Sequence, residues 1–226
     1  YRNKMEWRFD GLRAGLHVRG MWHEVVNIEE CFLQSDISLQ IFKTIRECAK
    51  NGELRSVYVR EGKRTGEIMV VFLTYDEVLR MEFVQVLKKF PKIVSMAHIR
   101  TGMKGGPKEE IVYGKDFYRE EMRVGERIFQ FHVRPQAFFQ PNVFMAEKMY
   151  EQILTFARPQ KDDIVLDLFC GTGTIGISLA SCVSSVIGVE FEESSVASAR
   201  ENAELNGVEN ILFHAGTVEK ILPDLH

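Results

Sequence analysis

From Asp163 onward, short apolar runs alternate with helical stretches, and few folds accept that grammar. Ile164–Leu168 reads as a buried strand, Gly171–Gly173 as a loop and Thr174–Ser181 as a helix. A strand over Ser185–Glu190 follows, then a helix over Glu193–Leu205 that Asn206-Gly207 ends, then a strand over Asn210–His214. Strands of this kind separated by helices call for a parallel, doubly wound α/β sheet of Rossmann-like type. Three strands in the last 64 residues make about half of such a sheet, and the chain opens on Tyr1 rather than Met. It is therefore expected to be part of a longer protein.

The first loop of this region decides the ligand class. Gly171-Thr-Gly173-Thr-Ile-Gly176 satisfies GxGxxG, and Glu190 ends the next strand, so a nicotinamide dinucleotide is one candidate. Asp167 points elsewhere. A carboxylate four residues before Gly171 opposes a pyrophosphate, which needs a helix N-terminus free of negative charge. S-adenosylmethionine carries no phosphate, and its sulfonium and ammonium are cationic. Glu190 suits a ribose diol in either case. Glycine serves where backbone passes closely under a ligand, and Phe169 is placed to cover one. The full register of strand, Asp, Gly-x-Gly, helix, strand and terminal Glu favours S-adenosylmethionine. Asp167 also has a plain structural role open to it, capping the loop. Cys170 reads as a small residue in a tight turn, since no base follows it in sequence.

The first 140 residues read as mixed α+β. Lys4–Phe9 alternates as a strand closed by Asp10-Gly11, residues 17–28 hold one or two more, and Asp36 is placed to cap a helix over Ile37–Ala49 ended by Asn51-Gly52. Ser56–Arg60 and Glu67–Thr74 form a hairpin, Asp76–Phe90 a helix, Lys92–Ile99 a strand, Thr101–Lys108 a loop and Arg127–Val133 a strand. Pro141 suits a helix start, with Ala146, Met149, Tyr150, Ile153, Leu154 and Ala157 on one face. Net charge is −3 but divides unevenly. Residues 1–140 hold 24 Lys and Arg against 19 Asp and Glu, whereas residues 141–226 hold 5 against 13. A basic part beside an acidic part suggests that the first meets a polyanion, although chance partition of surface charge gives the same numbers. The four cysteines, Cys31, Cys48, Cys170 and Cys182, have neither disulfide nor zinc spacing and read as reduced thiols. There is no apolar run of 18 residues and no secretory leader, so a cytoplasmic protein is expected.

Phe139-Gln140-Pro141-Asn142, the amphipathic helix after it, Asp167-Leu-Phe-Cys-Gly-Thr-Gly173 and Gly188-Val-Glu190 together resemble the RNA uracil-5-methyltransferase family. Tyr1-Arg-Asn-Lys-Met-Glu6 and Val26-Asn-Ile-Glu-Glu-Cys31 look like the opening of that family's central domain. The resemblance covers nearly the whole chain and is most specific at the FxQxN element, Phe138 to Asn142. It implies a central α+β, RNA-facing domain over residues 1–135. The N-terminal half of a Rossmann-like class I methyltransferase domain would follow over residues 136–226. It implies S-adenosyl-L-methionine as cofactor, with Gln140, Asp167, Phe169, Gly171, Gly173 and Glu190 around it; Thr174 stands where certain members carry Asn.

The family's chemistry adds a cysteine thiolate to carbon 6 of a uracil, passes the methyl to carbon 5 of the resulting enolate, and removes the carbon 5 proton with a base. Nucleophile and base are expected beyond His226, so the chain alone is expected to be inactive. None of its four cysteines is the expected nucleophile. Some members hold a 4Fe-4S cluster, for which Cys31 would be one ligand; an ordinary buried cysteine is the alternative. The RNA partner implied is a uridine-containing loop of tRNA or rRNA. Phosphate contacts are expected from Arg2, Lys4, Arg8, Lys104 and Lys108, with Arg13 and Arg19 also available. Trp7 and Trp22 suit either base stacking or core packing. A monomer is expected. The rival readings are a methyltransferase for another base or a protein side chain, an NAD-dependent oxidoreductase, and a catalytically silent RNA-binding module.

Overall fold

The computed structural model describes residues 1–226 apart from Leu12, Asn51, Asp76, Glu77, Leu225 and His226; the side chains of Trp22 and Asp224 also lie outside the description. The chain forms two units, Tyr1–Tyr118 and Arg119–His226. Among the described residues no helix is long and apolar enough to cross a membrane. Three expectations touch residues outside the description: Trp22 as a stacking side chain, Asn51 at a helix end and Asp76 at a helix start.

The first unit is built on seven strands: β1 (Lys4–Asp10), β2 (Arg13–Val18), β3 (Met21–Asn27), β4 (Ser56–Glu61), β5 (Ile68–Thr74), β6 (Ile93–Arg100) and β7 (Lys108–Gly114). They lie in the order β3-β2-β1-β4-β5-β6-β7. The neighbours are antiparallel except β5 and β6. A parallel pair needs a crossover, and the segment between β5 and β6 supplies it with helix α2 (Glu82–Leu87). Helix α1 (Asp36–Cys48) precedes β4. Its cap is Ser35, whose Oγ accepts from the Ser38 amide; Asp36 is the first helical residue rather than the cap.

Strand alternation sends Met5 and Trp7 from β1 into the core, with Val57 and Val59 of β4 and Ile68, Val70 and Phe72 of β5. The helices contribute Ile41, Phe42 and Ile45 from α1 and Phe83, Val84 and Leu87 from α2. Trp7 is fully buried and stacks on Phe42 with ring centroids 4.2 Å apart, which assigns it to packing rather than to RNA. Helix α2 is shorter than its sequence pattern. Pro91 disfavours helix at Phe90, and Met81 gives the start no side-chain cap.

The second unit opens with a hairpin of β8 (Tyr118–Val124) and β9 (Arg127–Val133), turned at Gly125 with φ 61°. Helix α3 (Val143–Ala157) follows, then β10 (Ile164–Leu168), α4 (Thr174–Leu179), β11 (Ser185–Glu190), α5 (Glu193–Leu205) and β12 (Ile211–Ala215). Strands β10, β11 and β12 pair in parallel in that order, as the sequence grammar demands. Beyond Leu179 the α4 segment tightens to a 3-10 turn over Ala180–Cys182.

The chain forms its compact units on either side of Tyr118/Arg119, ahead of the 135/136 expected from sequence, and β9 is bound to α5. The Asn206 side chain accepts from the Gln130 amide at 2.8 Å and donates to its carbonyl, so it occupies the place of a neighbouring strand. Strand β10 stands first in the order of this chain's three parallel strands, with Ile164 63% exposed and Leu166 45% exposed in the chain by itself. On α3, Met149 is 41% exposed and Ala157 is exposed, so the buried face narrows to Val143, Ala146, Glu147 and Tyr150.

The Trp7 indole N–H is buried with no hydrogen-bond partner. Trp7→Ala is expected to destabilise the chain by about 3–5 kcal/mol through the cavity it leaves. Trp7→Phe keeps the stack and removes the orphan donor, and is expected to cost less than about 2 kcal/mol. Denaturant unfolding of the two variants measures the difference; equal losses would contradict the packing role.

Candidate cofactor site

The site is assembled where β10 ends. Asp167 is buried, and its Oδ2 accepts from the Gly176 amide at 2.8 Å, so the carboxylate occupies a donor in the first turn of α4. A phosphate seeks such donors at a helix start; here a side chain of the protein already holds one. The capping role open to Asp167 in the sequence is therefore realised. Burial raises the Asp167 carboxyl above the usual carboxylate range, and the Gly176 hydrogen bond opposes that rise.

After Asp167 the backbone turns sharply. Phe169 has φ 62°, a left-handed conformation rare for an aromatic residue, and its ring is 74% exposed at the strand end. The Cys170 amide donates to the Val189 carbonyl at 3.1 Å, and the Gly173 amide to the Cys170 carbonyl at 2.9 Å. The glycines differ in purpose. At Gly171, φ is 55° and an added Cβ would meet nothing, so conformation alone requires glycine. At Gly173, φ is 80° and a Cβ would also come within 2.9 Å of Phe213. Gly176 serves packing: its Cβ would lie 3.0 Å from Asp167 Oδ2 and 3.1 Å from Val186.

Glu190, at the end of β11, closes the loop from the other side. Its Oε2 accepts from the Gly171 amide and its Oε1 from the Glu192 amide, each at 3.0 Å. Both carboxylate oxygens are thus oriented by backbone, and each keeps a further lone pair for a hydroxyl. Thr174 opens α4 with its Oγ1 2.8 Å from the Tyr150 hydroxyl of α3. Gln140 lies two residues before Asn142, whose Oδ1 caps α3 by accepting from the Met145 amide. Asp167, Gly171, Gly173 and Glu190 are thereby held at the turn between β10 and α4, and Phe169 lies in that turn. Thr174 starts α4 with its hydroxyl on Tyr150, and Gln140 lies at the entry to α3.

Sequence reasoning missed Asn202. Fully buried on α5, it accepts from the His132 amide at 2.9 Å and donates to the Thr172 carbonyl at 3.3 Å, inside the glycine loop. A lone Asn in a charged helix gives no signal of that kind. Cys170 is no nucleophile: burial, then the Asp167 and Glu190 carboxylates, push its thiol up to about 12.

The RNA candidates do not form one patch. Lys4 and Arg8 share a face of β1. Lys104 and Lys108 belong to the β6–β7 connection, four strand positions or roughly 19 Å away across the sheet. Arg2 is exposed just ahead of β1. Cys31 is half-buried against the first unit's core, and among the described residues no three His, Cys, Asp or Glu side chains converge as metal ligands. Within this chain Cys31 offers a single thiol to a 4Fe-4S cluster, and no step is derived through one.

Two outcomes follow from these charges. Native protein treated with iodoacetamide at about pH 8 is expected to leave Cys170 unmodified in peptide mass spectra, and unfolding is expected to expose it. Asp167 has a raised folded value, so the stability it contributes is present at acid pH and lost as pH rises through that value towards neutrality. Asp167→Asn keeps the acceptor for Gly176 without the charge. The variant is expected to be at least as stable as the parent at pH 7, with a flatter stability profile below it, measured by thermal melting.

A family model described as tRNA (uracil-5-)-methyltransferase matches residues 63–221. Over its full length the chain is 34% identical to an uncharacterized RNA methyltransferase of Protochlamydia amoebophila and spans 60% of that protein. It is 32% identical, again over its full length, to another so described from Caldanaerobacter subterraneus and spans 55% of it. Among solved structures, Pyrococcus abyssi tRNA (uracil-54, C5)-methyltransferase in complex with S-adenosyl-L-homocysteine matches with a TM-score of 0.76 at 25% identity. That match covers 96% of this chain and 55% of the archaeal one. The second unit accordingly has the Rossmann-like methyltransferase fold, and with well over half of its residues under the one family model, the chain belongs to the tRNA (uracil-5-)-methyltransferase family.

Proposed function

We propose that the chain is the RNA-facing and cofactor-binding part of an S-adenosylmethionine-dependent enzyme that methylates carbon 5 of a uridine in tRNA or rRNA. The observation that carries the cofactor is the Asp167–Gly176 hydrogen bond, which sets a carboxylate where a dinucleotide would set its phosphates. The archaeal homologue of known structure, solved with S-adenosyl-L-homocysteine, supports the same ligand class. S-adenosylmethionine supplies an electrophilic methyl group on a sulfonium.

In this reading the chain's own residues bind and orient. Glu190, with both oxygens already aligned by backbone amides, accepts from the ribose hydroxyls. Asp167 places negative charge near the cationic amino-acid end. In the same reading the exposed Phe169 ring covers the adenosine, and Gln140, two residues before the α3 cap, adds a polar contact. The cofactor-binding residues proposed are therefore Gln140, Asp167, Phe169, Gly171, Gly173, Thr174 and Glu190. Carbon 5 of uracil is a poor nucleophile until a thiolate adds at carbon 6. Cys170 cannot be that thiol, and the nucleophile and base are assigned to a part of the whole enzyme outside this chain. The uridine must leave its stack to be reached, so an unpaired RNA segment is the substrate, met in the cytoplasm.

Calorimetric titration of the chain with S-adenosylhomocysteine and with NAD is expected to show binding of the first alone. Phe169→Ala is expected to weaken that binding about fivefold or more through lost stacking, and Asp167→Asn to weaken it as well. Binding of NAD in preference would sink the cofactor reading. For the whole enzyme, RNA carrying tritium on uridine carbon 5 is expected to release one tritium for each methyl gained. Methylation without release would assign the methyl to a different atom.

A further inference from the structure

The face of the first sheet that carries Lys4, Glu6 and Arg8 is opposite the one packed by Trp7 and the helices. Two adjoining hollows open on it, of about 200 Å³ and about 390 Å³. Both are lined by Arg8, His17 and Arg55, so these three side chains form a ridge between them. The smaller hollow has Tyr75 in its wall and the larger has Tyr58.

The ridge is cationic and incompletely paired. Arg8 donates through Nε to His17 Nε2 at 2.9 Å and pairs with Glu6 at 3.2 Å. Arg55 differs from Arg8. Its guanidinium lies 5.5 Å from the Tyr75 ring centroid, its Nε is buried without a hydrogen-bond partner, and among the described residues it makes no ion pair. A partly buried guanidinium held on an aromatic face with no carboxylate is suited to an anion from outside the protein. Lys4 adds charge beside the larger hollow, its Nζ 4.2 Å from the Tyr58 ring centroid. The carboxylates of Glu6 and Asp10 also reach the hollows, which disfavours a dense polyanion and suits a single phosphodiester.

We infer that this face holds one dinucleotide step of unpaired RNA, with the phosphodiester on Arg8, His17 and Arg55 and the two bases in the hollows walled by Tyr75 and Tyr58. The inference rests on the RNA methyltransferase reading and adds to it a specific surface. It separates Arg8 from Lys104 and Lys108 and brings in Arg55, His17, Tyr58 and Tyr75, which the charge pattern of the sequence did not single out.

The test is fluorescence anisotropy of a labelled, uridine-containing single strand of roughly twelve nucleotides with the chain, between about 50 and 200 mM salt. Arg55→Gln is expected to weaken binding and to lower the slope of log affinity against log salt by about 0.7, the value of one phosphate contact on a single strand. Tyr75→Leu alters an exposed ring, 58% accessible, and is expected to fold as the parent does. It is expected to lose about fivefold or more in affinity with the slope unchanged. A duplex of the same sequence is expected to bind more weakly than the strand.

If the parent chain binds the strand and both variants match it, the surface is wrong and the RNA reading stands. If only Arg55→Gln has an effect, or the duplex binds as well as the strand, the base-holding half of the inference is overturned. If the parent binds S-adenosylhomocysteine but no RNA, the inference falls together with the assignment of RNA contacts to this chain.

Discussion

The hydrogen bond from the Gly176 amide to Asp167 organises the second unit. It joins the carboxyl end of β10 to the first turn of α4, and every residue of the glycine loop lies between those two anchors. Helix α4 needs a side-chain acceptor from Asp167, because Gly173 at its start offers no side-chain cap. Gly176 needs to be glycine because the same carboxylate oxygen stands 3.0 Å from where its Cβ would be. The charge is unfavourable in its buried setting, as the raised Asp167 carboxyl records. A site that keeps such a charge gives up stability for the field it directs at a ligand.

Much of the second unit was legible in sequence because its local and global demands agree. Ile164–Leu168, Ser185–Glu190 and Glu193–Leu205 fall where the apolar periods place them, and the Asn206-Gly207 stop ends α5 as written. The hairpin's first strand was not legible. In β8 the inward positions are Tyr118, Glu120, Met122 and Val124, and a fully buried glutamate breaks the apolar alternation that identifies a strand. Strand β7, Lys-Glu-Glu-Ile-Val-Tyr-Gly, lies at an edge of its sheet, where charge is tolerated and the same signal is absent. The attachment of β9 to α5 was not legible either, since Asn side chains reach its backbone and leave no periodic trace.

In the candidate site, the residues visible in sequence are those whose identity the backbone enforces. Gly171 and Gly173 follow from positive φ, and Asp167 and Glu190 from their places at strand ends. Asn202 follows from neither and emerges only when the folded chain brings α5 beside Thr172. The cationic residues show the same limit. Summed charge marks residues 1–140 as basic but does not distinguish Lys104, on an exposed loop, from Arg55, just ahead of β4 and beside Tyr75 and Tyr58. Which cations act together depends on sheet order, and sheet order is a long-range property.

Asn202 constrains the backbone on both sides of it. A single side-chain amide touches the backbone of β9 with its oxygen and the backbone of the glycine loop with its nitrogen. The hairpin and the glycine loop therefore share one planar group. Neither β9 at His132 nor the loop at Thr172 can lose its backbone polar atom, as His132→Pro would at the first, without leaving half of a buried amide unpaired.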